Sequence, residues 1–210
     1  MKIDNILKRK KTISFEFFPP KDIETFKILI ETIKELKNFN PDFISVTDSN
    51  ISAKMKHIAL SKLLKEKMGL NMLIHLTCIN NTPKEIKTSI KAIEKTAIDN
   101  ILALRGDKRN FIKISNYFKH ATDLMKEIDK NKFCIVVAAH PEGHRDGDIK
   151  KEIFYLKMKK EMGARVAVTQ IFFDNEVFFK FREKFEKEIG IFLIPGIMTI
   201  TKPKMFENII

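Results

Sequence analysis

Seven short apolar runs alternate strictly with amphipathic stretches of helix length, and this alternation constrains the fold more than any other feature of the chain. The strand-length runs are Thr12 to Phe18, Asp42 to Asp48, Asn71 to Thr77, Asn100 to Leu104, Phe133 to Ala139, Arg165 to Phe172 and Ile191 to Ile197, rich in Val, Ile and Phe. Between them Ile23 to Lys37, Ala53 to Met68, Pro83 to Thr96, Ser115 to Asp129, Ile149 to Met162 and Glu176 to Glu188 carry apolar residues at helical spacing. Thr82 before Pro83 gives an N-cap followed by proline at the first helical position. Gly69, Gly163 and Gly190 fall where helices must stop. Repeated β-then-α units predict parallel strands joined by right-handed crossovers, which leaves a doubly wound open sheet or a barrel.

Neither Gly-x-Gly-x-x-Gly nor Gly-x-x-x-x-Gly-Lys-Ser/Thr occurs, so a dinucleotide-binding or P-loop sheet is disfavoured and the barrel gains weight. Within the first strand Ile13, Phe15 and Phe17 share one face, and Thr12, Ser14 and Glu16 the other. Ile44 and Val46 alternate with Ser45 and Thr47, and Ile74 and Leu76 with His75 and Thr77. The apolar sets are expected under the helices and the polar sets inside, with chemistry at the C-terminal rim of the strands.

Composition narrows the function classes. Of the 210 residues 44% are hydrophobic, enough to bury a core without staples, and no apolar stretch is long enough to span a membrane. Met1 to Lys11 is basic but leads to Pro19 and Pro20 without a small-residue cleavage site, so no signal peptide is read and a cytoplasmic location is expected. Cys78 and Cys134 lie in apolar segments without metal or redox spacing, which predicts buried reduced thiols. The net charge of +12 suits nucleic acid, lipid or an anionic small molecule without choosing among them. A bias to Lys, Ile, Phe and Asn, with 7 Gly and no Trp, is what AT-rich coding produces.

Six strand ends carry residues with chemical capacity: Glu16, Thr47 with Asp48, His75 with Thr77, Arg105 with Asp107, His140 with Glu142, and Gln170 with Asp174. Each alone has an ordinary structural explanation. Convergence on one rim points to a site.

Ser14-Phe15-Glu16-Phe17-Phe18-Pro19-Pro20-Lys21, Ser45-Val46-Thr47, His75-Leu76-Thr77-Cys78, Leu102-Ala103-Leu104-Arg105-Gly106-Asp107, Ala138-Ala139-His140-Pro141-Glu142-Gly143-His144 and Thr169-Gln170-Ile171-Phe172-Phe173-Asp174 together resemble, in order and spacing, the methylenetetrahydrofolate reductase family. The resemblance implies a TIM-barrel (β/α)8 fold of the α/β class and an FAD-dependent reduction of 5,10-methylenetetrahydrofolate to 5-methyltetrahydrofolate by NADH or NADPH, serving methionine synthesis. It implies that Glu16 is the general acid toward folate N10, that Asp107 lies beside the flavin and the pterin, and that Gln170 touches both substrates. An inward Glu16 flanked by Phe15 and Phe17 is expected to have a raised pKa. Thr47, His75, Arg105, Gly106, Asp107, Ala121, His140, His144, Glu152 and Lys159 are implied FAD contacts, with Arg105 and Lys159 suited to a pyrophosphate. The implied partners are the two substrates and further copies of the chain in a homo-oligomer, with no nucleic acid and no membrane. No metal is expected, because Pro141 and Gly143 oppose the helix that would align His140 with His144.

The sequence also departs from the family pattern. Asp48-Ser49-Asn50 stands where Tyr-Gly-Ala is usual, His140 for a Tyr, Glu152 for an Asp, Tyr155 for an Asn, Met158 for an Arg, and Met205 near a Gln. Only seven strands are found, against eight in a complete barrel. Residues 1–210 are therefore expected to form a single barrel domain truncated at its C-terminus. A catalytically impaired remnant, or one fragment of a split reductase, is the alternative of the same descent. A basic nucleic-acid-binding module is the alternative of a different class, resting on charge alone.

Overall fold

The computed structural model describes residues 1–48, 55–107, 117–143 and 147–200. The described residues form α1 (Ile3–Leu7), β1 (Ser14–Phe17), α2 (Ile23–Lys37), β2 (Phe43–Val46), α3 (Lys56–Met68), β3 (Met72–Thr77), α4 (Pro83–Glu94), β4 (Asn100–Leu104), α5 (Ala121–Met125), β5 (Cys134–Ala139), α6 (Ile149–Glu161), β6 (Ala164–Thr169), α7 (Asn175–Glu188) and β7 (Phe192–Ile194). All strand pairs are parallel and the sheet order is β1-β2-β3-β4-β5-β6-β7. A doubly wound sheet reverses its strand order at a switch point. This one never does, so its crossovers wind one way and curl the sheet into a TIM-barrel-like α/β fold of seven strands.

The two faces of the sheet separate as the alternation predicts. Ile44, Val46, Ile74, Leu76, Ile101, Ala103, Ile135 and Val137 point outward into one core with Leu64, Ile86, Ile93, Phe181 and Phe185 of the helices. Phe43, Leu73, Leu102, Cys134, Val136 and Val166 point inward into a smaller core. Burying a Leu, Ile or Phe side chain is worth about 1.5–3 kcal/mol. A one-residue slip in any strand would reverse these sets.

The inner core is closed at its N-terminal end by α1, a helix the sequence reading did not contain. Ile3 is fully buried in the inner cluster. Its N–H donates to Asn100 Oδ1 at 2.8 Å, while Asn100 Nδ2 donates to the carbonyls of Met1 and Met72. Buried Asp4 pairs with Arg165 at 3.1 Å. With this end plugged, the C-terminal end is left to carry polar groups.

The helix starts are built by side chains. Asp22 and Thr82 head reciprocal capping boxes with Thr25 and Glu85, and Gly69 ends α3 at φ +68°. The expected helix Ser115 to Asp129 is corrected to Ala121–Met125 within the described residues. The His120–Asp123 capping box fixes its start there. Past its end, Glu127 and Ile128 donate to Leu124 and Met125, three residues back, so the helix tightens and stops. Cys78 and Cys134 are buried free thiols, as expected, and burial pushes both up to about 12. Among the described residues no helix is long and apolar enough to cross a membrane.

Candidate active site

Parallel register sets Glu16 of β1 beside Ser45 of β2, and the inward face of β3 brings in His75. Ser45 Oγ donates to Glu16 Oε2 at 3.2 Å, and His75 Nε2 lies 3.4 Å from the same oxygen. Ser45 and His75 are buried, but the Glu16 side chain is 54% exposed. The expected rise in the Glu16 pKa is therefore corrected. Burial acts to raise it, but His75 and Ser45 together outweigh that and hold the carboxyl below its ordinary value. Phe15 and Phe17 belong to the other face and do not desolvate it.

A second polar cluster continues the rim. Asp48 Oδ2 accepts from the backbone N–H of Thr77 at 3.0 Å and from its hydroxyl at 2.6 Å. Asp48 Oδ1 stands 3.6 Å from Nδ1 of buried His57 on α3. Burial pushes the His57 imidazole down, against the opposing charge of Asp48. Thr47, Asp48, His57, His75, Thr77 and Asp107 line a cavity of about 480 Å³, within the range of small-molecule sites. The sequence reading missed His57. Its signal was a polar stripe, since His57 and Ser61 sit four apart on the buried face of α3 with Leu64, where a helix packed for stability alone carries apolar groups. Ser49 and Asn50 lie outside the described residues.

At the end of β4 the chain turns through Arg105, Gly106 and Asp107. Gly106 has φ +82°, and a Cβ there would stand 3.0 Å from Thr77 Cβ, so this turn tolerates only glycine without strain. Arg105 Nε donates to the Gly106 carbonyl at 3.2 Å, which folds the guanidinium back along the rim, and Asp107 is exposed. Ala121 opens α5, whose N-cap carbonyl, from His120, accepts from Cys78 Sγ at 3.5 Å. That contact ties the start of α5 to the ends of β3 and β4.

On the far side of the rim His140 follows β5. Glu152 Oε1 accepts from the His140 backbone N–H at 3.1 Å and lies 3.3 Å from His140 Nδ1. Glu152 is 1% exposed. Burial acts to raise its pKa, but His140 and Lys159 outweigh it and hold the carboxyl below the ordinary value. Lys159 Nζ donates to the Ala138 carbonyl at 2.9 Å, and burial pushes its ammonium down. One of the three N–H groups of this lysine is thus held by the barrel wall. Gln170 is exposed one residue past β6, its N–H donating to the Ala139 carbonyl at 2.7 Å. Glu16, Asp107 and Gln170 all stand at the C-terminal ends of their strands, and Glu16 and Gln170 continue the inward sets. Tyr155 and the Met158 position lie on α6. His144 and Met205 lie outside the described residues.

The described residues suit a flavin nucleotide. Thr47 Oγ1 and His57 Nε2 are buried polar atoms without a hydrogen-bond partner among the described residues, and both side chains line the cavity. Buried groups of this kind ordinarily find partners, and the polar edges of a bound ring and its sugar chain would supply them. Thr47, His75 and Gly106 would hold such a group at the β2–β4 side, and His140 at the β5 side.

The model of one protein family, Methylenetetrahydrofolate reductase, matches residues 2–210. A 5,10-methylenetetrahydrofolate reductase of Buchnera aphidicola subsp. Baizongia pistaciae is 40% identical over 201 residues, covering 93% of this chain and 67% of the relative. The 5,10-methylenetetrahydrofolate reductase of Escherichia coli K12 is 36% identical over 200 residues, with the same 93% and 67% coverage. Among solved structures, a Clostridium thermocellum protein described as binding two copies of 5-methyl-5,6,7,8-tetrahydrofolic acid superposes with a TM-score of 0.67 at 17% identity, covering 97% of this chain and 72% of its own. That likeness concerns the fold alone. The family model and the identity to the bacterial reductases, along nearly the whole chain, place this protein in the methylenetetrahydrofolate reductase family of oxidoreductases.

Proposed function

We propose that this chain binds FAD against the inward face of its sheet and reduces 5,10-methylenetetrahydrofolate to 5-methyltetrahydrofolate with NADH or NADPH, in the supply of methyl groups for methionine. On this reading residues 1–210 act as one barrel domain. The observation that carries it is Glu16, a carboxyl anchored through one oxygen and open to solvent at the rim, beside a cavity whose buried polar atoms lack partners.

A bound flavin supplies the hydride carrier. The chain supplies the rest. Thr47, His75 and the flat turn at Gly106 hold the ring system, and His140 offers an imidazole face. Glu16 gives its proton to folate N10; the bond from N10 to the bridging methylene breaks with its electron pair on N10, and the methylene remains as an iminium on N5, open to hydride. The acid must be protonated when folate is bound, so desolvation under the ligand has to overcome the hold of Ser45 and His75. Asp107 and Gln170 orient the substrate from β4 and β6, because reacting groups must share one bound geometry.

Stopped-flow spectroscopy of the FAD-loaded protein tests this. NADH should bleach the flavin and 5,10-methylenetetrahydrofolate should restore its colour with 5-methyltetrahydrofolate as product. A protein that takes up flavin and is bleached, but is never reoxidised by this folate, would sink the assignment.

A further inference from the structure

Glu16 has two oxygens in unequal surroundings. Oε2 receives the Ser45 hydroxyl and the approach of His75 Nε2, whereas Oε1 accepts no hydrogen bond from any described residue. Ser45 is 4% exposed, and its Oγ donates to Glu16 alone among the described residues. The hydroxyl is carried on a central strand in parallel register with Glu16, so its position is set by the sheet rather than by a mobile loop.

We propose that Ser45 is a positioning residue for the proton transfer: it pins Oε2 to the barrel wall and leaves Oε1 to carry the proton to folate N10. The inference rests on the reductase reading above. In the step, the O–H bond at Oε1 breaks, an N–H bond forms at N10, and the carboxylate left behind delocalises its charge onto Oε2. Ser45 already donates to that oxygen. A donor fixed in advance where negative charge develops lowers the barrier without reorganisation. The groups that face Glu16 are few. His75 approaches from β3, His57 and Asp48 stand beyond it, and Arg105 and Asp107 occupy the neighbouring stretch of rim.

The test uses FAD-loaded parent protein, Ser45→Ala, Ser45→Cys and Ser45→Thr. In Ser45→Ala the folate half-reaction, compared on the acid side of the profile where Glu16 is protonated in both proteins, should slow roughly 10- to 100-fold, as for loss of a hydrogen bond to a charged group, and by more than any change in flavin bleaching by NADH. Because the protonated carboxyl is the active form, the folate rate falls as pH rises through the Glu16 pKa. Without its donor the carboxyl holds its proton longer, so this limb should move to higher pH. Ser45→Thr, which keeps the hydroxyl, should restore rate and limb, and Ser45→Cys, a weaker donor of similar size, should fall between. A slower reaction with an unmoved limb, or equal loss in both half-reactions, would make Ser45 structural and overturn the proposal.

A second readout needs no turnover. In flavin-free protein labelled with 13C at glutamate carboxyls, the Glu16 resonance, assigned by its loss in Glu16→Gln, should titrate at higher pH in Ser45→Ala than in the parent. An unchanged titration overturns the proposal. If the parent does not react with folate, the reductase reading fails, and this titration alone decides whether Ser45 governs Glu16.

Discussion

Two Glu–His pairs face each other across the chemistry of the rim, and they are built in opposite senses. In the pair of β1 and β3, His75 is 6% exposed and Glu16 54%. In the pair of β5 and α6, His140 is 29% exposed and Glu152 2%. The same two residue types at nearly the same separation, 3.4 and 3.3 Å, thus expose a carboxyl at the rim on one side and an imidazole on the other. The difference lies in the supporting element. Glu16 sits on a strand whose inward face opens to the rim, while Glu152 sits on the buried face of a helix, behind the strand end it supports. Whichever partner is buried orients the one that is presented.

The sharpest way to break this comparison is to neutralise the presented carboxyl. Glu16→Gln should lower the folate half-reaction by about 10²- to 10⁴-fold, the usual worth of a general acid, while flavin bleaching by NADH and the unfolding midpoint change little. Equal loss in both half-reactions would give Glu16 a structural role like that of Glu152.

Removing the buried carboxyl should act on stability first. Glu152→Ala removes the Glu152 acceptor from the His140 backbone N–H and takes the counter-charge from the Lys159 ammonium, which costs about 3–5 kcal/mol for a broken buried pair. Urea unfolding at neutral pH measures it, and a loss below about 1 kcal/mol would show that the pair is not buried in solution.

Acid titration separates the two carboxyls again. The folded-state pKa of Glu152 lies below its ordinary value of 4.5, so the unfolded chain binds the proton more readily. Its contribution is fully present above the unfolded value and is lost as pH falls from there through the folded one. The urea midpoint of the parent should drop over that window, and Glu152→Gln should flatten the drop. Glu16→Gln should flatten it less, because its half-exposed carboxyl is screened by solvent. Similar flattening by both variants would remove the distinction.

The smallest effect is expected from the presented imidazole. His140→Phe keeps a ring and the backbone N–H bond to Glu152 but loses the Nδ1 contact, worth about 1 kcal/mol as a single hydrogen bond. Flavin absorbance titration should show the cofactor still bound, and loss of binding would make the imidazole polarity, rather than its face, the feature that matters.

Much of this architecture is written in the alternation of apolar and polar residues. Asn100–Leu104 and Ile23–Lys37 occupy the positions their periodicity predicts, because a buried parallel strand and an amphipathic helix each carry their signal locally. Pro83 and Thr82 did the same for a helix start. The misses share a cause, which is dependence on partners far away in sequence. Five-residue α1 is too short for a period and is held by Asn100 and Arg165. The state of Glu16 is set by Ser45 and His75 on other strands, so the flanking Phe15 and Phe17 were the wrong neighbours to consult. His57 was hidden because its partner Asp48 lies past the end of β2, away from α3 in sequence, although the polar pair His57 and Ser61 on the buried face of the helix was visible.

The plug at the closed end of the barrel also imposes an order in time. Asp4 is synthesised well ahead of its partner Arg165, which lies 161 positions later. At synthesis rates of about 5–20 residues per second, α1 waits roughly 10 to 30 s for the strand that completes its seat. Over that interval Ile3, Ile6 and Leu7 have no finished inner core to enter. The N-terminal turn is therefore expected to dock late, a cork set after the staves, and a nascent chain released before β6 should remain open at the end opposite its chemistry.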